Sequence, residues 1–316
     1  MIELEDFYRV CSSIGARSPY WTQGAGSNVS LKMKFDGKQL LRIKASGLRM
    51  DAVNRAGGTV DVDASAFKTR FLDIRADEEA ECELQYAKVI QSSSLSSNPS
   101  LRPSMETGFH VALEQPLVAH FHSIAAVLMA DLYFKNLPAF PSWVAQSQLK
   151  LSFVDHFRPG FLLSRFLMQC PNSDAYVLRN HGVILASNDG LVLEKWQKLE
   201  KDFCREFGFE WILGPTMIGQ DLQEILSLLT AAPLKFYFPD TAVFLERLRR
   251  VLIPDSKRSQ FWVLKSEAMH EDRDMCELWA ATALLYEACP DVAELPDEII
   301  ATVANLPVEK FRKSGT

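Results

Sequence analysis

Hydrophobic and polar positions alternate with different periods along the chain, and the changes of period delimit its elements. Leu4, Phe7, Tyr8 and Cys11 recur at helical spacing and predict a helix over residues 3–16. Val29, Leu31 and Met33 then alternate with polar residues as a strand does. Phe35-Asp36-Gly37-Lys38 is a turn signal, and Leu40, Leu41 and Ile43 form the returning strand of a hairpin. Residues 50–63 predict a short helix, a Gly57-Gly58 turn and a strand, and residues 64–74 and 78–90 two helices. Gln91 to Ser100 is a Ser-rich loop, expected to be the mobile segment before Glu106. Ser104 is placed to cap a helix with Glu106 in its first turn and Phe109, Ala112 and Leu113 on its apolar face.

In Leu117 to His122, Val118, His120 and His122 face one way, and Leu117, Ala119 and Phe121 the other. Ser123 caps the next helix. Residues 138–160 read as irregular, with Pro138, Pro141 and Pro159, and 161–170 as helical. Ala175 to Arg179 and Val183 to Ala186 are short strands about a hairpin-like Asn180-His181-Gly182 turn. Helices follow over 191–207 and 222–230. A break near Ala232-Pro233 separates a first domain, 1–231, from an α-rich C-terminal extension, 232–316, expected to pack on it through helices near 241–252, 272–288 and 296–304. No internal repeat is present.

Composition narrows the classes. The chain has 316 residues, 47% apolar and 23% charged, enough to bury a sizeable core. A net charge of −6 argues against a general nucleic-acid surface or a polybasic membrane patch. The first residues are acidic and lack a signal-peptide core, and no apolar stretch is long enough to span a bilayer. Six scattered cysteines without a Cys-x-x-Cys pair suggest reduced thiols in a cytoplasmic protein.

The chemistry concentrates in a few residues. His120 and His122 share a strand face and can reach one ion. Taken alone, the pair fits two hydrogen-bonded polar residues at a strand end equally well. His181 is a third imidazole whose Gly-flanked position also suits an ordinary turn. Glu106 suits the helix dipole or a general acid/base beside a metal. His110 reads as a buried, hydrogen-bonded histidine, and His156 and His270 as structural or surface residues. Gly24 to Asn28 and Ala45-Ser46-Gly47 are small-residue loops able to form an anion nest, and neither carries a nucleotide fingerprint.

In their order, Gln23-Gly24-Ala25-Gly26-Ser27-Asn28, Lys44-Ala45-Ser46-Gly47, Arg102-Pro103-Ser104-Met105-Glu106, His120-Phe121-His122, Arg158-Pro159-Gly160 and Arg179-Asn180-His181-Gly182 resemble the class II aldolase/adducin family over about residues 1–215. The wording of the two small-residue loops is similar to the aldolase halves of rhamnulose-phosphate aldolase/dehydrogenase fusions, and more distantly to fuculose-phosphate aldolase. The resemblance implies an α/β/α sandwich around a mixed, largely antiparallel sheet, assembled as a homo-oligomer, commonly a tetramer. It implies zinc, or another divalent metal, on His120, His122 and His181, with Glu106 as catalytic acid/base or a fourth ligand in the empty site. Asn28, Ser46, Gly47 and Ser104 would line the substrate's anionic subsite. The implied reaction is cleavage or formation of a C–C bond in a sugar or sugar phosphate through a metal-stabilised enediolate. Decarboxylation, epimerisation and dehydration are alternatives within the family, and a non-catalytic, adducin-like module is another. The adducins lack the intact triad that this chain carries. Two departures stand out. Met105 occupies the position of a second phosphate-binding serine, and Pro141-Ser142-Trp143 fills the region where an acidic tyrosine is expected.

Overall fold

A computed structural model of the chain describes residues 2–75, 77–170, 172–209, 221–229 and 231–305. Helix α1 (Leu4–Gly15) buries Phe7, Val10, Cys11 and Ile14 as its periodicity requires. Strands β1 (Asn28–Phe35) and β2 (Lys38–Lys44) form the expected hairpin. Asp36 and Gly37 both take positive φ, the backbone of the tight turn whose twist matches the strands. Strand β3 (Thr59–Asp63) adds outside β2. Helix α2 (Ala64–Leu72) is capped by Asp63, and α3 (Glu79–Ser93) runs further than its apolar pattern foretold. The Ser-rich stretch is thus partly helical, and Ser94 bridges to Val62.

Helix α4 (Thr107–Ala112) begins later than expected. Glu106 is its cap residue, and Ser104 caps no helix. Instead Thr107 N–H donates to the Ser104 carbonyl at 3.1 Å, and Glu106 N–H to Ser104 Oγ at 3.2 Å. A separate turn therefore precedes the helix and aims the glutamate.

Strand β4 (Leu117–Phe121) is wholly buried, and Ser123 caps α5 (Ile124–Phe134). Residues 138–160 are more ordered than their prolines suggest, holding α6 (Phe140–Ala145) and β5 (Leu151–Val154). There follow α7 (Phe161–Leu167), β6 (Ala175–Leu178), β7 (Gly182–Ser187) and α8 (Val192–Phe207). Among the described residues the main sheet has seven strands in the order β3-β2-β1-β4-β7-β6-β5, all antiparallel except the β5–β6 pair. Helices α1, α5 and α8 cover one face, and α2, α3, α4 and α7 the other. This is the expected sandwich around a mixed, largely antiparallel sheet.

Helix α9 (Leu222–Leu228) ends before Thr230, which lies outside the described residues, as do residues 306–316. Strand β8 (Ala232–Pro233), helices α10 (Pro239–Val243) and α11 (Leu245–Val251), and strands β9 (Leu252–Pro254) and β10 (Phe261–Leu264) come next. Helices α12 (Ala268–Glu271), α13 (Arg273–Ala288) and α14 (Asp297–Val303) follow. The small sheet β8-β10-β9 is a feature that apolar periodicity did not predict, because its strands are two to four residues long. Tyr237, Leu248, Trp279 and Leu285 share one continuous core with Phe7, Phe121 and Trp196. No helix among the described residues is long and apolar enough to cross a membrane.

Candidate metal centre and active site

Strand register builds the site. His120 lies opposite Asn28 of β1 and Ile184 of β7, so Asn28 and His120 project from the same sheet face as cross-strand neighbours. His122 follows β4 by one residue, and His181 lies in the β6–β7 turn. That turn needs glycine after the histidine. Gly182 has φ +144°, and a Cβ there would stand 2.3 Å from the Phe121 carbonyl and 2.8 Å from His122 Cα. Backbone contact thus brings His181 against the other two. One nitrogen from each ring lies within 4.8 Å of the others, and all three residues are buried.

The donor set fits a divalent ion. His120 Nδ1 is 3.0 Å from the Val183 carbonyl, so this nitrogen carries the proton and Nε2 is left as a lone-pair donor. His120 Nε2 is buried with no hydrogen-bond partner among the described residues. Glu106 Oε2 is 3.6 Å from that nitrogen, and Oε1 is 3.5 Å from His181 Nε2. Oε1 is likewise buried without a hydrogen bond. Such orphaned groups are rare in folded proteins unless a ligand completes them.

Glu106 is held from the other side by an ordered chain. Asn28 Nδ2 donates to Glu106 Oε2 at 2.7 Å and to Ser104 Oγ at 3.3 Å. The Asn28 carbonyl oxygen must therefore be the acceptor facing His110 Nε2. His110 Nδ1 then accepts from the Ser30 hydroxyl at 2.7 Å. This tautomer requires a neutral ring. Complete burial, with His120 and Lys32 nearby, holds the His110 pKa well below its ordinary value. The expectation of a buried, bonded His110 is met, and its consequence is a fixed Asn28.

The pocket is lined by both small-residue loops, by Ser104, Met105 and Glu106, and by His122 and His181. Every sequence-predicted site residue except fully buried His120 therefore touches it, and His120 Nε2 lies 3.6 Å from Glu106 Oε2. Lys44, within the second loop motif, also lines it. The Lys44 ammonium donates to Leu48 O at 2.6 Å, Ala25 O at 3.3 Å and Ala45 O at 3.4 Å, tying the loops together.

Sequence reasoning missed the contribution of the C-terminal segment. Pro239, Asp240, Val243 and Val303 also line the pocket, as does Pro159 of the Arg158-Pro159-Gly160 motif. Buried Glu277 accepts from Gly24 N–H at 2.8 Å. Arg49 donates to Asp274 at 2.6 Å and to the two Glu277 oxygens at 2.8 and 3.0 Å. The first loop is thereby braced from α13. The i, i+3 acids Asp274 and Glu277 were visible in sequence, but nothing linked them to Arg49 more than two hundred residues earlier.

No curated protein matches the chain. Among solved structures, the N-terminal class II aldolase domain of a conserved protein from Thermoplasma acidophilum aligns with a TM-score of 0.52 at 20% identity, covering 65% of this chain and 93% of that one. L-Fuculose-1-phosphate aldolase from Thermus thermophilus gives 0.42 at 12% identity, covering 67% and 96%. YgbL from Escherichia coli, provisionally described as an aldolase/epimerase/decarboxylase, gives 0.45 at 22%, covering 67% and 89%. The first of these supports the shared fold. The model of the class II aldolase and adducin N-terminal domain matches residues 5–190, which include the first loop, Glu106 and all three histidines. With that match over more than half the sequence, the chain belongs to the class II aldolase and adducin family.

Proposed function

We propose that the chain is a metal-dependent carbon–carbon lyase acting on a sugar or sugar phosphate. The observation that carries this reading is the convergence of three histidine donors within 4.8 Å. His120, His122 and His181 would hold zinc or another divalent ion. Such an ion supplies, when bound, a Lewis acid for negative charge on a substrate enediolate. Glu106 moves the proton at the carbon beside the substrate carbonyl, through the oxygen that no donor among the described residues occupies. Asn28 fixes the carboxylate's other oxygen and so its direction. Asn28, Ser46, Gly47 and Ser104 line the pocket at the substrate's distal end, where the Ser46 and Ser104 hydroxyls orient the reacting carbon while Asn28 stays committed to Glu106. Zinc-loaded protein should release an aldehyde from at least one member of a panel of ketoses, ketose phosphates and sugar acids. No C–C cleavage across that panel sinks the proposal.

A second reading keeps the site and changes the reaction to decarboxylation, epimerisation or dehydration of a non-phosphorylated substrate. Two features favour it. Met105 presents a thioether to the pocket, and Lys44, the one lysine or arginine lining it among the described residues, donates to backbone carbonyls. Release of carbon dioxide, or an isomer without an aldehyde, selects this reading. A non-catalytic interaction module would show no metal by elemental analysis and no change in stability on chelation. We also propose a homo-oligomer, to be measured by light scattering.

A further inference from the structure

The segment that follows β8 grips one of the three histidines. Phe238 stacks its ring on His122 with centroids 6.1 Å apart and planes 21° from parallel. Two residues on, Asp240 brings Oδ2 to 3.4 Å from His122 Nδ1. Both side chains are almost entirely buried. The nitrogen that Asp240 faces also lies against the first small-residue loop. A Cβ added at Gly26 would stand 3.0 Å from Asp240 Oδ2 and 3.1 Å from His122 Nδ1. Gly26 therefore leaves room for the carboxylate and the imidazole to meet. Its φ is not in the left-handed region, so this close approach, not backbone conformation, is what excludes a side chain.

We propose that Asp240 is a positioning residue for the metal centre: its carboxylate accepts the His122 Nδ1–H and holds the ring with Nε2 as the donor to the ion. The proposal rests on the metal-centre reading above. His120 offers the precedent within the same site: its Nδ1–H meets the Val183 carbonyl at 3.0 Å, against 3.4 Å between His122 Nδ1 and Asp240. A carboxylate in that role also raises the basicity of the ligating nitrogen, which a carbonyl does less strongly. Asp240 faces a ring nitrogen of His122, so its role is to act through that ring. It also lies beyond the family-matched residues 5–190, so the C-terminal segment is a working part of the site.

The test uses the full-length protein with Asp240→Ala, the near-isosteric Asp240→Asn, and Gly26→Ala. In metal-free wild type, ¹⁵N NMR of the imidazoles should find His122 protonated at Nδ1. Asp240→Asn, whose amide oxygen still accepts, should keep that tautomer. Asp240→Ala should lose it, and Gly26→Ala should shift toward the same state. Cobalt(II) titration followed by visible absorption should show affinity about 10–100-fold weaker for Asp240→Ala, with Asp240→Asn intermediate. A wild type that binds cobalt, together with an Asp240→Ala variant of unchanged affinity and tautomer, overturns the role of Asp240 alone. A wild type that binds no cobalt overturns the metal-centre reading and this role with it.

Discussion

Two buried glutamates sit beside the end of β4, and the protein treats them in opposite ways. Glu200, on α8, is saturated with donors. Trp21 Nε1 reaches it at 2.6 Å, Trp196 Nε1 at 2.8 Å, and the Ser123 hydroxyl also donates to it. Glu106 has one side-chain donor among the described residues, Asn28, and its other oxygen lies 3.5 Å from His181 Nε2 without a hydrogen bond. Consecutive strand residues point to opposite faces. His120 accordingly faces Glu106, while Phe121 packs on Trp21, with ring centroids 4.9 Å apart, on the side of Glu200. A satisfied buried carboxylate fixes structure. An unsatisfied one beside three histidines is held ready for a ligand. Burial alone does not distinguish them, and the count of donors does.

The sharpest way to break this contrast is to neutralise Glu106. Glu106→Gln should lower turnover by about 10²–10⁴-fold, the usual worth of a positioned acid/base, while leaving the fold and the bound metal in place. Steady-state kinetics with metal analysis of the same sample checks both. Loss of the metal would make Glu106 chiefly a ligand. His122→Ala should instead lose metal and activity together, and retention of a full equivalent of metal would remove it from the ligand set.

The opposite substitution tests the other half. Glu200→Ala leaves two indole N–H groups and a hydroxyl buried without their acceptor. At roughly 1–3 kcal/mol for each unsatisfied group, after partial relaxation, a loss of about 3 kcal/mol in denaturant stability is expected. The folded fraction should keep its turnover within a few-fold, and a far larger loss in folded protein would erase the distinction between the two carboxylates. The pH dependence of stability gives a finer measure. Burial pushes the Glu200 carboxyl from 4.5 up to about 7, against the pull of its three donors. Below 4.5 Glu200 is neutral whether the chain is folded or not. As pH rises from 4.5 towards 7 the unfolded chain releases its proton first, so stability falls, and above about 7 the loss is complete. Its size is roughly 3 kcal/mol. Glu83, also buried and raised to about 7, adds a decline of the same sign. The difference between wild type and Glu200→Gln across this range therefore isolates Glu200. A difference that does not vary with pH would show that Glu200 keeps an ordinary pKa.

The same contrast explains what the sequence could convey. Glu106, His120, His122 and His181 were legible because family wording surrounds them and because local rules position them. Strand alternation places His120, and a glycine that tolerates positive φ places His181. The β1–β2 hairpin and the Ser123 cap were legible for similar local reasons. Strand β5 was not, since four residues paired in parallel to β6 carry too little period to separate from the prolines around them. Ser104 was misread because a turn and a helix cap share the same residue preference. Glu200, Arg49 and Asp240 were silent for a different reason. Each gains its meaning from a partner more than a hundred residues away, and polar residues announce no partner in a single sequence. The helix over 191–207 was plain, whereas the distant Trp21 that its buried acid binds was not.

The smallest expected effect concerns Met105, one residue before Glu106. Its side chain lines the pocket without offering a hydrogen-bond donor, beside Ser104, which offers one. Met105→Ser supplies that donor without touching the triad or the Asn28 chain. One further hydrogen bond to a charged terminal group contributes about 1.5 kcal/mol, roughly a tenfold preference. The ratio of kcat/KM for a phosphorylated substrate to that for its non-phosphorylated counterpart should therefore rise by about that factor, while metal content stays the same. If both substrates respond equally, the distal group does not lie against residue 105, and substrate selection passes to Ser46 and Gly47 on the other loop.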